Sequence, residues 1–164
     1  MRLLLDTNVV FSALLWRGAA YALLSDISKR SDVRLFTSRV LIDELTDILT
    51  RPSATQRLAL IGKTAAQVVA DYAEAVEVIE MDASAPVPRV VPTDADDDFV
   101  VAAALAAGVD AIVTGDSDLL AVGSFARSGA VANISANANT NANASEPIKV
   151  LTVAALRELL AAQE

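Results

Sequence analysis

The sequence predicts an α/β domain of three layers, a mainly parallel sheet of four to five strands with helices on both faces. Three observations carry that expectation. Strand-like and helix-like stretches alternate along the chain, the pattern of repeated βαβ units. The strand-like Leu3–Leu5 and Ala111–Val113 are unbroken apolar runs, as expected of strands covered on both faces. At 164 residues and 54% hydrophobic content, the chain is long enough for one domain with a sizeable core, and it is read as a single domain over 1–164.

Composition narrows the chemistry. The chain has no cysteine and no histidine, which excludes zinc–thiolate and zinc–imidazole sites, disulfides, and nucleophiles activated by histidine. Acid–base or metal chemistry must come from carboxylates. The longest apolar run, from Phe99 to Val109, is about half the roughly 20 residues a bilayer span needs, so no membrane segment is expected. Met1-Arg2 leads straight into a strand-like segment with no leader pattern, and a soluble cytoplasmic protein is the expectation. The formal net charge is −8. Its distribution is uneven: residues 17 to 63 carry eight basic residues against five acids, whereas 71 to 118 carry twelve acids against Arg89 alone. A basic rim beside an acidic pocket suits a phosphodiester substrate.

Taken in order, Leu3–Leu5 forms a short buried strand that delivers Asp6 to the sheet edge where open α/β folds bind ligands. Val9 to Lys29 is helical by spacing, with a break at Arg17-Gly18. Asp6 alone reads as a helix N-cap. Val33–Ser38 is the second strand, with Thr37 or Ser38 capping a helix from Arg39 to Thr50 that Pro52 ends. On that helix Val40, Leu41, Ile42, Leu45, Ile48 and Leu49 form an apolar arc, with Asp43 and Asp47 outside it and Glu44 inside. A carboxylate there is out of place unless it reaches a polar site. Ala54–Ile61 and Thr64–Ala75 are further helices, Thr64 capping the second; Val76–Met81 alternates like a half-exposed strand, and Ala83–Pro92 is a proline-rich connection.

Val90 to Leu120 concentrates the acids. Asp94, Asp96, Asp97 and Asp98 precede a helix that starts at Asp97 or Asp98, and the strand Asp110–Thr114 leads to Asp116 and Asp118 in a Gly115-based turn. Capping accounts for one aspartate, not for four. Carboxylates crowded beside a buried element repel one another and resist desolvation, so they imply a cation among the oxygens. Hard oxygen donors suit Mg²⁺ or Mn²⁺. Asn8 and Thr114 are placed to hydrogen-bond the ligand carboxylates.

LLLDTNVVFSALL, Glu44, DADDDFVVAAALAAG and IVTGDSDLL together resemble a PIN domain, and more narrowly the VapC-like toxins of toxin–antitoxin pairs. The likeness runs from residue 2 to about 122 and resumes at Ile148. It implies a metal-dependent ribonuclease with Asp6, Glu44, Asp98 and Asp116 as the metal quartet, Asp97 and Asp118 being the alternates. It also implies an RNA substrate, an antitoxin protein partner and a homodimer, for which Leu14, Leu15 and Trp16 offer apolar surface. A cationic antitoxin side chain, arginine above all, could pair with the carboxylates where the metal would sit. Two other readings stand beside it: a silent PIN-fold module that binds RNA or protein, and a haloacid-dehalogenase-like phosphatase. The latter wants Asp where Asn8 stands and a lysine that residues 86–114 lack. The departure from the family is 124–147, a low-complexity Asn/Ala-rich stretch expected to be a surface loop before the last strand, Ile148–Leu151. Thr152 then caps a closing helix, Val153–Ala162.

Overall fold

The computed structural model describes residues 1–81, 87, 89–91, 97–127 and 146–163. The described residues form strands β1 (Arg2–Leu5), β2 (Arg34–Ser38), β3 (Glu77–Ile79), β4 (Ala111–Val113), β5 (Ser124–Phe125) and β6 (Ile148–Leu151). Between and after them lie helices α1 (Thr7–Leu15), α2 (Ala19–Ile27), α3 (Arg39–Thr50), α4 (Pro52–Leu60), α5 (Ala65–Ala75), α6 (Asp97–Ala107), α7 (Ser117–Val122) and α8 (Val153–Ala161). The sheet order is β3-β2-β1-β4-β6-β5. All neighbours run parallel except the short β5, antiparallel to β6.

Successive side chains of a strand point to opposite faces, so the apolar runs fill two cores. Leu3 and Leu5 join Ala111 and Val113 under α1, α2, α3, α5 and α8, while Leu4 joins Phe36 and Ile112 under α6. All three leucines are almost wholly excluded from solvent. This produces the three layers. At roughly 1.5–3 kcal/mol for each fully buried large side chain, this central strand accounts for a substantial part of the favourable burial energy.

Local signals set the helix boundaries. The Ser38 hydroxyl accepts from the Leu41 amide, Thr64 and Gln67 make a reciprocal capping box, and the Thr152 hydroxyl accepts from the Ala155 amide. The break at Arg17-Gly18 is a 94° bend between α1 and α2. At the C-terminal end of α6, Gly108 takes φ +58, the left-handed conformation that glycine adopts without steric cost. Arg2 donates to the Ala107 and Gly108 carbonyls there and stacks 4.2 Å from the Phe36 ring centroid.

Some expectations need adjustment. The sheet gains β5 as a sixth strand; it opens the 124–147 stretch, whose residues 128–145 lie outside those described. Gly115–Asp118 was expected to be a turn, and it instead launches the six-residue α7. Val40, expected in the buried arc of α3, is 43% exposed; Glu44 is exposed and Ile48 half-buried, so the buried stripe is Leu41, Ile42, Leu45 and Leu49. Among the described residues no single helix is long and apolar enough to cross a membrane.

Candidate active site

The chain passes from β1 outward to β2 and β3 on one side, then crosses to β4 and β6 on the other. The reversal falls between β1 and β4, and a crevice at the carboxyl ends of such a strand pair is where open α/β sheets bind ligands. Leu5 is in register with Val113, and the Asp6 amide donates to the Val113 carbonyl at 2.9 Å. Asp6 and Thr114 therefore emerge side by side.

Asp6 occupies the N-cap position of α1, yet its side chain makes no capping hydrogen bond. Its Oδ2 instead accepts from the Thr114 hydroxyl at 2.7 Å, and the residue is 4% exposed. The Asp6 carboxylate is thus held by the Thr114 hydroxyl and not by a cap hydrogen bond to α1. Burial is the main cause that pushes the Asp6 carboxyl above its ordinary range; the Thr114 hydrogen bond opposes it, while the charges of Glu44 and Asp116 push further upward. Both charged groups acting in that balance are carboxylates.

Glu44 comes from the second turn of α3, which packs against α1. It reaches the site although it is exposed, because Thr7 Oγ1 donates to Glu44 Oε2 at 2.6 Å. Asp116 follows β4: its amide donates to the Thr114 hydroxyl at 3.0 Å, and its Oδ1 caps α7 by accepting from the Asp118 and Leu119 amides. Thr114 thus ties Asp6 to Asp116, and Thr7 holds Glu44.

The other expected residues stand differently. Asn8, expected to hydrogen-bond the site carboxylates, is exposed and its side chain makes no hydrogen bond among the described residues, whereas its neighbour Thr7 donates to Glu44. Thr7 was missed because position alone does not say which side of α1 meets α3. Asp118 is exposed on α7. Asp97 is half-buried in the first turn of α6. Asp98, expected in the quartet, is 1% exposed, and its Oδ1 accepts from the Val90 and Val91 amides at 2.8 and 2.9 Å. Asp94 and Asp96 lie outside the described residues.

Among the described residues no three acids are drawn together at the spacing of one closed metal site. The donor chemistry nonetheless fits a hard divalent cation. A buried carboxylate whose charged neighbours are two more carboxylates gains most from positive charge placed between them.

Comparison with known proteins agrees with this architecture. The crystal structure of VapBC2 from Rickettsia felis, bound to a DNA fragment from its promoter, superposes with a TM-score of 0.52 over 74% of this chain and 93% of the other, at 14% identity. That likeness concerns the fold. No curated protein sequence matches. A family model described as a PIN domain matches residues 2–118, the stretch that runs from β1 through Asp6, Glu44 and α6 to Asp116, and the chain belongs to the PIN domain family.

Proposed function

We propose that this single-domain protein is a divalent-metal-dependent endoribonuclease acting as the toxin of a toxin–antitoxin pair. The observation that carries the proposal is the buried Asp6 carboxylate, which makes no N-cap hydrogen bond and has Glu44 and Asp116 as its charged neighbours. Asp6, Glu44 and Asp116 would hold Mg²⁺ or Mn²⁺, joined by an acid from the start of α6. Such an ion, when bound, supplies an activated water and stabilises charge on phosphate oxygens. The chain's own residues set the geometry: the Thr114 hydroxyl fixes the Asp6 carboxylate, and the Thr7 hydroxyl holds Glu44. The membership of the chain in a family of nucleases supports the reading, as does the likeness of its fold to a VapBC2 protein.

An antitoxin partner, a homodimer and a cytoplasmic location belong to the same proposal. Of the residues expected at a dimer surface, Leu15 is buried in the core, whereas Trp16 is 42% exposed and lines a cavity of about 390 Å³ with Leu14, Tyr21, Arg57 and Ile61. The test is direct: purified protein degrades RNA in Mn²⁺ or Mg²⁺, stops on addition of EDTA, and loses activity in Asp6→Asn, Glu44→Gln and Asp116→Asn. Expressed alone, the wild-type chain arrests growth and Asp6→Asn does not. Retained cleavage in EDTA would sink the metal reading. Absence of cleavage under every condition, with RNA still bound, would favour the silent PIN-fold module.

A further inference from the structure

We propose that the groove at the C-terminal end of α1 is an RNA-binding site apart from the catalytic crevice, where Trp16 and Tyr21 stack on bases of the substrate strand and Arg17 and Arg57 hold its phosphates. The inference rests on the nuclease reading for its substrate and on this groove alone for its residues.

The groove lies between α1, α2, α4 and α5, with a volume of about 390 Å³ and Leu14, Trp16, Arg17, Tyr21, Arg57 and Ile61 on its walls. Trp16 is 42% and Tyr21 41% exposed. Phe11 braces the Trp16 ring edge-on at 5.2 Å between centroids, and the Arg17 guanidinium lies 5.5 Å from the Tyr21 centroid. Most lysines and arginines among the described residues face an acid, as Lys63 of the same groove faces Asp71. Among those residues Arg17 and Arg57 face none. Arg57 Nε donates to the Leu15 carbonyl at 2.8 Å, which anchors the side chain at the end of α1 and leaves its two terminal nitrogens without a hydrogen bond among the described residues. In a chain of net charge −8, two guanidiniums left without acids on one groove reverse the field locally and suit an anionic partner.

The chemistry of the groove selects the anion. Rings beside guanidiniums hold single-stranded nucleic acid with little sequence preference, the bases stacking on aromatic faces while the phosphates pair with cations. The catalytic crevice cannot supply that affinity alone, because Asp6, Glu44 and Asp116 repel phosphate wherever no cation stands between. Backbone contacts must come from cations elsewhere. Helix α1 joins the two places, with Asp6 at its N-terminal end and Trp16 at its C-terminal end, and its nine residues span about 14 Å at about 1.5 Å each. One strand a few nucleotides long reaches both. A second copy joined through this same patch would set the arginines against their own counterparts. An acidic protein segment would satisfy the charges, and RNA is preferred because it is the polyanion that the proposed reaction already brings to α1.

Binding measured in EDTA, where the proposed nuclease is idle, separates this site from catalysis. The full-length wild-type protein binds a fluorescein-labelled single-stranded RNA of about twelve nucleotides, read by anisotropy. Trp16→Ala weakens that binding about tenfold and Arg17→Gln about fivefold, whereas Arg34→Gln, at a surface arginine paired with Glu77, stays within about twofold of wild type. Arg17→Gln combined with Arg57→Gln reduces the slope of log affinity against log salt by about 1.4, the value for two phosphate contacts on a single strand. In Mn²⁺ the same variants raise the KM for cleavage and leave kcat unchanged. Arg57→Gln also loses the bond to Leu15, so Arg17→Gln, at an exposed position with no hydrogen bond among the described residues, decides should the double variant fail to fold. RNA affinity equal to wild type in both Arg17→Gln and Trp16→Ala overturns the proposal and leaves the groove to an acidic protein segment. Wild-type protein that binds no RNA overturns it too. If the RNA affinities fall as stated and no divalent ion yields cleavage, the nuclease reading falls and this site stands.

Discussion

Replacing Thr114 with valine removes one hydroxyl from a fully buried position while keeping its shape, so the effect isolates hydrogen bonding from packing. Two bonds vanish: the 2.7 Å donation to Asp6 Oδ2 and the 3.0 Å acceptance from the Asp116 amide. The first, to an ionised acceptor, contributes about 1.5–3 kcal/mol, and the second about 1 kcal/mol because Asp116 is only half-buried. The sum is about 2.5–4 kcal/mol near neutral pH, or a fall in Tm of about 5–15 °C for a domain of this size. The loss must also depend on pH. The folded-state carboxyl of Asp6 lies above its ordinary value of 3.8, and loss of the Thr114 bond raises it further. Acidification therefore protonates Asp6 in the folded protein before it would in the unfolded chain. Once it is neutral, the missing bond counts as an ordinary one of about 0.5–1.5 kcal/mol. Urea unfolding of both proteins near pH 7 and near pH 4, in EDTA, measures the difference. An equal loss at both values, or a change under about 1 kcal/mol near pH 7, would refute the assignment of Thr114 as the group that holds an ionised Asp6.

Three further outcomes follow from the same geometry. Asp6→Asn, measured in EDTA near pH 7, is at least as stable as wild type: a carboxyl raised on folding binds more protons folded than unfolded above pH 3.8, so wild-type stability declines as pH rises through the folded value, and the variant lacks that slope. Added Mn²⁺ raises the Tm of wild type and leaves that of the variant unchanged, which differential scanning fluorimetry reads. Thr7→Val frees an exposed Glu44, so cleavage falls about tenfold with Tm shifted by little, and a large Tm loss with unchanged turnover would reverse that reading. Arg2→Met cuts the hydrogen bonds to Ala107 and Gly108 and the stack on Phe36, costing about 1.5–3 kcal/mol by thermal melts, with the metal affinity unchanged because Arg2 lies at the opposite end of β1 from Asp6.

The fold was legible where burial writes a pattern. Leu3–Leu5 and Ala111–Val113 lie at the sheet centre with helices on both faces, and each reads as an unbroken apolar run. The caps at Ser38, Thr64 and Thr152 announce themselves by residue type. What stayed hidden is too short to carry a period. Ser124–Phe125 pairs only because β6 offers a free edge, a fact that belongs to the assembled sheet. Helix α7 has six residues and starts because Asp116 Oδ1 caps two amides; in sequence the same Gly-Asp-Ser-Asp signals a turn equally well.

The candidate site divides along the same line. Asp6 and Thr114 could be placed because strand order and strand ends put them at one edge, and a parallel register leaves little freedom there. Glu44 was singled out for a reason the structure does not support. Val40 and Glu44 share an exposed stripe of α3, so no apolar surroundings single the carboxylate out. What draws it to the site is Thr7 on another helix, a contact made only by tertiary packing. Asp97 and Asp98 show the limit most plainly. Both are aspartates in the first turn of one helix, where the macrodipole favours either, and composition assigns them the same role. Their difference arises from the chain that arrives at Val90 and Val91, whose two amides need an acceptor as they enter the core. A buried pair of backbone donors takes up Oδ1 of one carboxylate of the two, a choice made by tertiary packing that the local sequence does not carry.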